Sequence, residues 1–246
     1  MKSIVTVLFI LAFASSAGAA GEMVSYKIQG KSYEGYYISP SANAPLVLLI
    51  HDWDGLTDYE VKRANMLAEM GYAVFAADLF GAGVRPTEVK DKRQHTGELY
   101  KNRKKMRALL YGALNEAKAR GADINNAVAM GYCFGGAAAL EFARSGADLK
   151  GFVTFHGGLA TPEGQDYSKA KGKLLILHGT ADTIITMDQF SGLAAELEAH
   201  GVSHEMITYS GAPHGFTVFG GNRYREYADR KSWTRFTEYL SETLKG

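Results

Sequence analysis

The stretch Gly131-Tyr132-Cys133-Phe134-Gly135-Gly136 places the only cysteine of the chain in a glycine-rich frame. The apolar residues 127–130 before it predict a short buried strand, and residues 137–143 after it predict a helix. The cysteine therefore falls where a strand turns sharply into a helix, as in the nucleophile elbow G-x-S-x-G, with sulfur in place of oxygen. Glycines suit this turn because a Cβ would not fit in the crowded backbone.

Such an elbow predicts a reactive thiol at Cys133. The turn lifts the sulfur into a cleft, and the N-terminus of the following helix favours the thiolate. The backbone N–H of Phe134 is then expected to donate to an oxyanion. The alternative is a buried structural cysteine, which is common for a free thiol. The flanking glycines favour the catalytic interpretation.

Strand and helix patterns alternate along the rest of the chain. Strands are predicted at residues 23–29, 33–38, 46–51, 72–77, 151–155, 174–178 and 203–209. Helices are predicted up to about residue 70 and over residues 87–120, 187–200 and 224–244. This alternation predicts an α/β fold with a mostly parallel central sheet and helices on both faces. Ligands of such sheets bind at the carboxyl ends of the strands.

Two further residues follow predicted strands, as that rule requires of site residues. Asp182 comes after the strand at 174–178, and His214 comes after the strand at 203–209. The chain order of nucleophile, acid and histidine is typical of α/β-hydrolases. We therefore expect His214 to accept the thiol proton of Cys133 and Asp182 to orient the imidazole.

The sequence HDWDG follows the first predicted core strand. The loop at this point of the fold supplies the second oxyanion donor, which we assign to the backbone N–H of Trp53. Asp52 is expected close to Cys133. Alternatively, Asp52 and Asp54 only cap the next helix. We expect a division in which Asp52 lies in the site and Asp54 or Thr57 caps the helix.

The other histidines do not predict a metal centre. His200 and His204 have the spacing H-x-x-x-H but lie on either side of Gly201, so they are not a helical metal-binding pair. No C-x-x-C spacing occurs, and we expect no metal ion. His156 and His178 end strands and are expected to bond loop backbone, although His156 is also a candidate pocket residue. No nucleotide or flavin fingerprint is present, and we expect no cofactor.

Composition and charge narrow the class of protein. A chain of 246 residues with 46% hydrophobic content can bury one substantial core, and the net charge of +1 gives no case for nucleic acid or a membrane surface. The basic cluster at residues 101–107 is interpreted as a solvated helix face. We expect a monomer whose partner is a small-molecule substrate.

The first twenty residues resemble an export signal. Lys2 precedes an apolar core at residues 4–13 that is too short to span a bilayer, and Ala17-Gly18-Ala19 fits a cleavage site. We expect residues 1–20 to be a signal peptide, residues 21–246 a single domain, and the protein to be periplasmic or secreted. An uncleaved anchor is the alternative. An unpaired cysteine in an oxidising compartment is tolerated when it is buried or has a function in an active site.

These residues together resemble the dienelactone hydrolase family, whose members carry a G-Y-C-x-G-G elbow followed by Asp and His. The segment ADLFG at residues 77–81 is similar to the family's P-D-L-Y segment. The resemblance covers nearly the whole predicted mature chain and implies hydrolysis of esters, classically of the dienelactone ring. It implies that Cys133 is the nucleophile, His214 the base and Asp182 the orienting acid. The family's Glu that holds the resting thiol is matched by Asp52, which is one methylene shorter.

The chain differs from the family at the two positions that bind the substrate carboxylate. The two arginines that bind it in well-studied members are replaced by Ala82 and by Thr217 or Val218. Arg85 and Arg223 lie nearby in the sequence, and a carboxylate needs a guanidinium at fixed geometry. Unless these two reach the pocket, dienelactone itself is not the expected substrate.

The interpretation that follows is a cysteine hydrolase of small carboxylic esters or lactones. The candidate pocket residues are Tyr132, His156, Phe216 and Arg85, although each aromatic could equally belong to the core. Two alternatives remain open: a non-catalytic binding protein on a hydrolase scaffold, and a redox-responsive thiol at Cys133. The lack of a second cysteine weakens the redox interpretation.

Overall fold

The computed structural model describes residues 20–245. The strands are β1 (Glu22–Ile28), β2 (Lys31–Ile38), β3 (Pro45–Ile50), β4 (Ala73–Ala77), β5 (Asp123–Tyr132), β6 (Gly151–Phe155), β7 (Lys173–Gly179) and β8 (His204–Tyr209). The helices are α1 (Asp58–Glu69), α2 (Val89–Lys101), α3 (Arg103–Ala119), α4 (Phe134–Arg144), α5 (Met187–Ala199) and α6 (Glu226–Leu244). The predicted signal peptide falls almost wholly outside the described residues.

The eight strands form one sheet in the order β1-β2-β4-β3-β5-β6-β7-β8. The pairs β1/β2 and β2/β4 are antiparallel, and all later pairs are parallel. The inner strands β3, β4 and β6 are short apolar runs buried on both faces, as parallel strands covered by helices must be. The predicted mostly parallel α/β architecture is thus confirmed.

Apolar side chains fill the space on both faces of the sheet. One core lies under α2, α3, α4 and α5, and includes Leu48, Phe75, Leu110 and Phe142. The second core lies under α1 and α6, and includes Val47 and Phe236. In residues 20–245 no helix is both long and apolar enough to cross a membrane.

The long helix predicted over residues 87–120 is two helices in the structure. Asn102 interrupts it with non-helical dihedral angles, φ −118° and ψ 73°, and its side chain accepts a hydrogen bond from the N–H of Lys105. A short amide side chain competes in this way with the continuing helix, so that it caps α3 and ends α2.

The basic stretch of α3 is also more than a solvated face. Arg107 donates to the fully buried carboxylate of Glu141 at 2.6 Å, and Arg103 and Arg144 pair with the same group. A buried carboxylate needs such partners because its desolvation is otherwise very unfavourable. Arg103 and Arg107 therefore hold α3 against α4, the helix that follows the elbow, whereas Arg144 pairs with Glu141 within α4.

Candidate active site

Cys133 occupies the turn between β5 and α4. Its backbone is left-handed, with φ 51° and ψ −112°, and it stands at the N-cap of the helix. The flanking glycines allow this turn: a Cβ at Gly131 would lie 2.3 Å from the carbonyl oxygen of Gly135, and one at Gly135 would lie 2.2 Å from that of Ile50. A non-glycine residue held at positive φ is strained, and such strain is concentrated at functional sites.

The structure brings Cys133, His214 and Asp182 into one line of hydrogen bonds. His214 Nε2 lies 3.1 Å from Cys133 Sγ, and His214 Nδ1 lies 2.8 Å from Asp182 Oδ2. The loops after β5, β7 and β8 carry these residues, and those strand ends meet at one edge of the sheet. The arrangement has the geometry of nucleophile, base and orienting acid.

Asp182 is held in place by its second oxygen. Oδ1 accepts hydrogen bonds from the backbone N–H groups of Ile184 and Ile185, each at 2.9 Å. Burial opposes the charge on this carboxylate, but the bonds from His214 and the two N–H groups keep its pKa below the ordinary value. The carboxylate is therefore ionised and fixed in orientation beside the imidazole.

The environment of Cys133 favours the neutral thiol. Burial raises the pKa of the thiol above its ordinary value, and the carboxylate of Asp52 raises it further. The Phe134 N–H and the Arg223 guanidinium act in the opposite direction and are outweighed. The predicted preference for thiolate at the helix N-terminus is thus overridden by desolvation, so a resting proton must be removed by a base.

Asp52 and Trp53 lie on the other side of the nucleophile, in the loop after β3. Asp52 is 8% exposed, lines the same cleft as Cys133, and accepts the N–H of Asp54 at 3.0 Å through Oδ1. Burial raises the pKa of Asp52 well above its ordinary range, as do Asp54 and Glu60. The residue that caps α1 is Thr57, and not Asp52 or Asp54.

Glu60 is a buried carboxyl group behind this loop that the sequence analysis missed. Its carboxylate closes a capping box with Thr57, accepting that residue's N–H and hydroxyl at 2.8 Å. It also accepts the Asp52 N–H at 3.5 Å. Burial raises the pKa of Glu60 to about 7. The spacing T-D-Y-E was the available signal, because Thr followed three residues later by Glu marks a capping box.

A cleft of about 560 Å³ opens above the sulfur. Its wall is formed by Asp52, Trp53, Asp54, Lys92, Arg93, Cys133, His156, Ile184, His214, Gly215, Val218, Gly221, Asn222 and Arg223. Apolar side chains and three cationic ones therefore share this wall. Several of these residues come from loops remote in sequence, which no local pattern could have assembled.

Only some of the predicted pocket residues line the cleft in the structure. His156 lines the cleft, and so does Arg223, whereas Tyr132, Phe216 and Arg85 do not. Tyr132 and Phe216 are fully buried in the core beneath the site, since β5 and the loop after β8 turn these rings inward. Arg85 is directed elsewhere, with its guanidinium 3.6 Å from Glu34 and bonded to the Val84 carbonyl.

Three of the other histidines have structural partners. His51 Nδ1 lies 2.6 Å from the Asp52 carbonyl, and His178 Nε2 lies 3.0 Å from the Ile185 carbonyl. His95 stacks on Phe80, with 5.2 Å between the ring centroids. Across residues 20–245, no cluster of three or more His, Cys, Asp or Glu side chains has the proximity that a metal ion requires.

The chain resembles known proteins in sequence and in fold. The model of the dienelactone hydrolase family matches residues 33–244. Protein usf of Aquifex pyrophilus is 26% identical over 80% of this chain and 87% of its own length. A putative carboxymethylenebutenolidase of Yersinia pestis is 23% identical, over 87% and 85% of the two chains.

A solved structure described as m3DLH superimposes with a TM-score of 0.87 and 29% identity, and covers 93% of this chain and all of its own. The match of the family model over most of the chain, together with the elbow and the fold, gives one conclusion. This chain belongs to the dienelactone hydrolase family and is a hydrolase of the ester type.

Proposed function

We propose that the protein hydrolyses small carboxylic esters or lactones through an acyl-enzyme on Cys133. The observation that carries this proposal is the unbroken line of hydrogen bonds from Asp182 through His214 to the sulfur, at 2.8 and 3.1 Å. Each residue in it has the atom that the reaction requires at that place.

In the first half of the reaction, His214 Nε2 takes the thiol proton of Cys133 as the sulfur attacks the substrate carbonyl carbon. The carbonyl π electrons move to oxygen, and the backbone N–H groups of Phe134 and Trp53 stabilise the oxyanion. The tetrahedral intermediate then collapses. The bond to the alcohol oxygen breaks, and His214 returns its proton to that oxygen, which leaves a thioester on Cys133.

In the second half, His214 removes a proton from a water molecule, whose oxygen attacks the thioester carbonyl. Collapse of this intermediate releases the carboxylic acid, and the sulfur recovers its proton from His214. Asp182 stabilises the imidazolium that forms in both halves. Because the pKa of the Cys133 thiol is raised by burial and by Asp52, the thiol stays protonated until a substrate is in place.

The cleft supports a substrate of limited size with a partly apolar body. Trp53, Ile184 and Val218 supply apolar surface, and Lys92, Arg93 and Arg223 supply positive charge. Since Arg85 lies outside the cleft, a bidentate pair of arginines around a carboxylate is not available from Arg85 and Arg223 together. The proposed substrates are neutral esters and lactones, or monoanionic ones whose charge meets Arg223 or Arg93.

Comparison of the wild type with Cys133→Ala and Cys133→Ser on p-nitrophenyl acetate tests the proposal. Turnover is expected to vanish in the alanine variant, because no other cysteine is present to replace the nucleophile. The serine variant separates the need for a nucleophile from the need for sulfur. Retained turnover in Cys133→Ala contradicts the proposal, and ligand binding without turnover in the wild type supports a binding protein instead.

We also propose that the protein is exported, with cleavage after Ala19 or Ala20. Lys2, the short apolar core and the small residues before position 20 support this proposal. Expression of the full chain followed by N-terminal sequencing of the mature protein is the test. A mature chain that begins near residue 21 in the periplasm or medium is expected, and an intact N-terminus contradicts cleavage.

A further inference from the structure

His51 directly follows β3, in the loop that carries Asp52 and Trp53. It is fully buried and does not line the cleft, whereas the two residues after it do. Its ring stacks against Phe134, the residue after the nucleophile, with 6.0 Å between the ring centroids. His51 therefore lies next to both segments that carry a proposed oxyanion donor, the backbone N–H groups of Trp53 and Phe134.

The nitrogen Nε2 of His51 is an acceptor. The backbone N–H of Leu79 donates to it at 3.1 Å, and a backbone N–H can only donate. Burial lowers the pKa of His51 below its ordinary value and outweighs the opposing carboxylate of Asp78, so the ring is neutral. A neutral imidazole carries one ring proton, which therefore lies on Nδ1.

The Nδ1–H of His51 bonds the peptide group that contains the Trp53 N–H. Nδ1 lies 2.6 Å from the Asp52 carbonyl oxygen, to which it donates. No peptide bond among residues 20–245 is cis, and in a trans peptide the C=O and the N–H point in opposite directions. The Trp53 N–H is therefore directed away from the buried ring. None of the hydrogen bonds within these residues engages it.

The donor to Nε2 is itself held in a fixed loop after β4. Asp78 Oδ1 accepts the backbone N–H groups of the two residues after Leu79, at 2.8 and 2.9 Å, and Asp78 Oδ2 accepts the N–H of Glu34 at 3.0 Å. These bonds lie in the segment ADLFG at residues 77–81. A line of contacts thus runs from this segment through His51 to the peptide group of Trp53.

We propose that His51 is a positioning residue of the oxyanion hole, whose Nδ1–H fixes the Asp52–Trp53 peptide so that the Trp53 N–H points into the cleft. A donor of this kind stabilises the transition state because its direction is set before the substrate carbonyl becomes an oxyanion. This inference rests on the proposed function. It predicts that His51 affects the acylation of Cys133 and leaves the reactivity of the thiol unchanged.

Two reagents separate these effects at Cys133. Acetylation by p-nitrophenyl acetate passes through an oxyanion and is followed as the first-turnover release of p-nitrophenol. Alkylation by iodoacetamide forms a carbon–sulfur bond as iodide leaves a saturated carbon, so it involves no oxyanion, and it is followed as the loss of free thiol. The ratio of the two rates therefore reports on the oxyanion hole and cancels changes in the nucleophile.

Two substitutions distinguish the ring nitrogens of His51. In His51→Asn the side-chain NH₂ can occupy the place of Nδ1 and donate to the Asp52 carbonyl. In His51→Gln the amide oxygen can occupy the place of Nε2 and accept the Leu79 N–H, but no donor remains at the place of Nδ1. Loss of one oxyanion donor lowers turnover by about 10²- to 10³-fold, so a donor that is only released should lower the ratio by about 10- to 100-fold in the glutamine variant. The asparagine variant should keep most of the ratio.

Thermal unfolding verifies that both variants are folded. An equal fall of the ratio in the two variants, or no fall in His51→Gln, overturns the inference. Nitrogen-15 NMR of histidine-labelled wild type gives a readout that does not depend on turnover. The ring resonances that are missing in either variant are expected to show a protonated Nδ1 and a bare Nε2, and a proton on Nε2 overturns the inference. A wild type that is alkylated but never acetylated at Cys133 counts against the proposed function, and the inference falls with it.

Discussion

The substitution Asp182→Asn is expected to place a proton on the wrong nitrogen of His214. An asparagine at this position has one oxygen and one NH₂ group. The oxygen must take the place of Oδ1, because that site accepts two backbone N–H groups at 2.9 Å, from Ile184 and Ile185. The NH₂ group then faces His214 Nδ1 and donates to it. The histidine proton is consequently held on Nε2, the atom that should accept the thiol proton.

The size of the expected loss of activity follows from the two hydrogen bonds that hold Oδ1 in place. Flipping the amide would leave two backbone N–H groups facing NH₂, at about 1–3 kcal/mol each, so the unproductive orientation is favoured by about 30-fold or more. The loss of the negative charge further destabilises the imidazolium. Removal of the orienting acid in a triad of this kind lowers turnover by about 10⁴-fold, and we expect a loss of about 10³- to 10⁴-fold here.

The assay is kcat/KM on p-nitrophenyl acetate at neutral pH, with thermal unfolding to verify the fold. Asp188→Asn is the matched control, because Asp188 is an exposed acid in the first turn of α5, outside the cleft. A loss below about tenfold in a folded Asp182→Asn protein refutes the argument that the anchored carboxylate sets the His214 tautomer.

Removing either of two opposite charges at the cleft is expected to shift the pKa of the Cys133 thiol, and the two shifts should have opposite signs. Asp52→Asn removes a carboxylate that raises the pKa of Cys133, so the rate of alkylation by iodoacetamide should rise at a lower pH than in the wild type; Arg223→Met should move that profile to higher pH. Shifts of the same sign in both variants contradict this reading of the site. A third variant, Glu60→Gln, tests the buried carboxyl group. Because the pKa of Glu60 is raised from 4.5 to about 7, the folded state binds more protons than the unfolded state in this interval, and stability falls as pH rises through it. The unfolding free energy of Glu60→Gln relative to the wild type should therefore increase by about 3 kcal/mol between about pH 4.5 and pH 8, measured by urea denaturation, whereas a difference independent of pH shows that Glu60 is not perturbed.

The local patterns of the sequence predict the strands and helices well because each has a clear period and clear ends. The buried runs of β3 and β6 and the elbow between β5 and α4 are of this kind. The break at Asn102 was missed because helical periodicity continues on both sides of it. The side chain of Asn102, and not the apolar pattern, divides α2 from α3.

The candidate site was predictable where residues follow strand ends, since topology brings those ends together. Cys133, Asp182 and His214 meet for this reason. The direction of a side chain beside the sheet is a matter of packing, and the sequence alone left Tyr132 and Phe216 undecided between pocket and core. The helix N-terminus was expected to favour the thiolate of Cys133, whereas burial raises the pKa of the thiol. This burial depends on the walls of the cleft, which are formed by loops distant in the chain.

The measurement that tests the central claim most directly is the mass of the Cys133 peptide during turnover. The wild type is mixed with p-nitrophenyl acetate, quenched with acid at times shorter than one turnover, digested and analysed by mass spectrometry. The account predicts one acetyl group on the peptide that contains Cys133, formed at the rate at which p-nitrophenol is first released. Turnover with that peptide unmodified at every time, or with the acetyl group on another residue, contradicts the account.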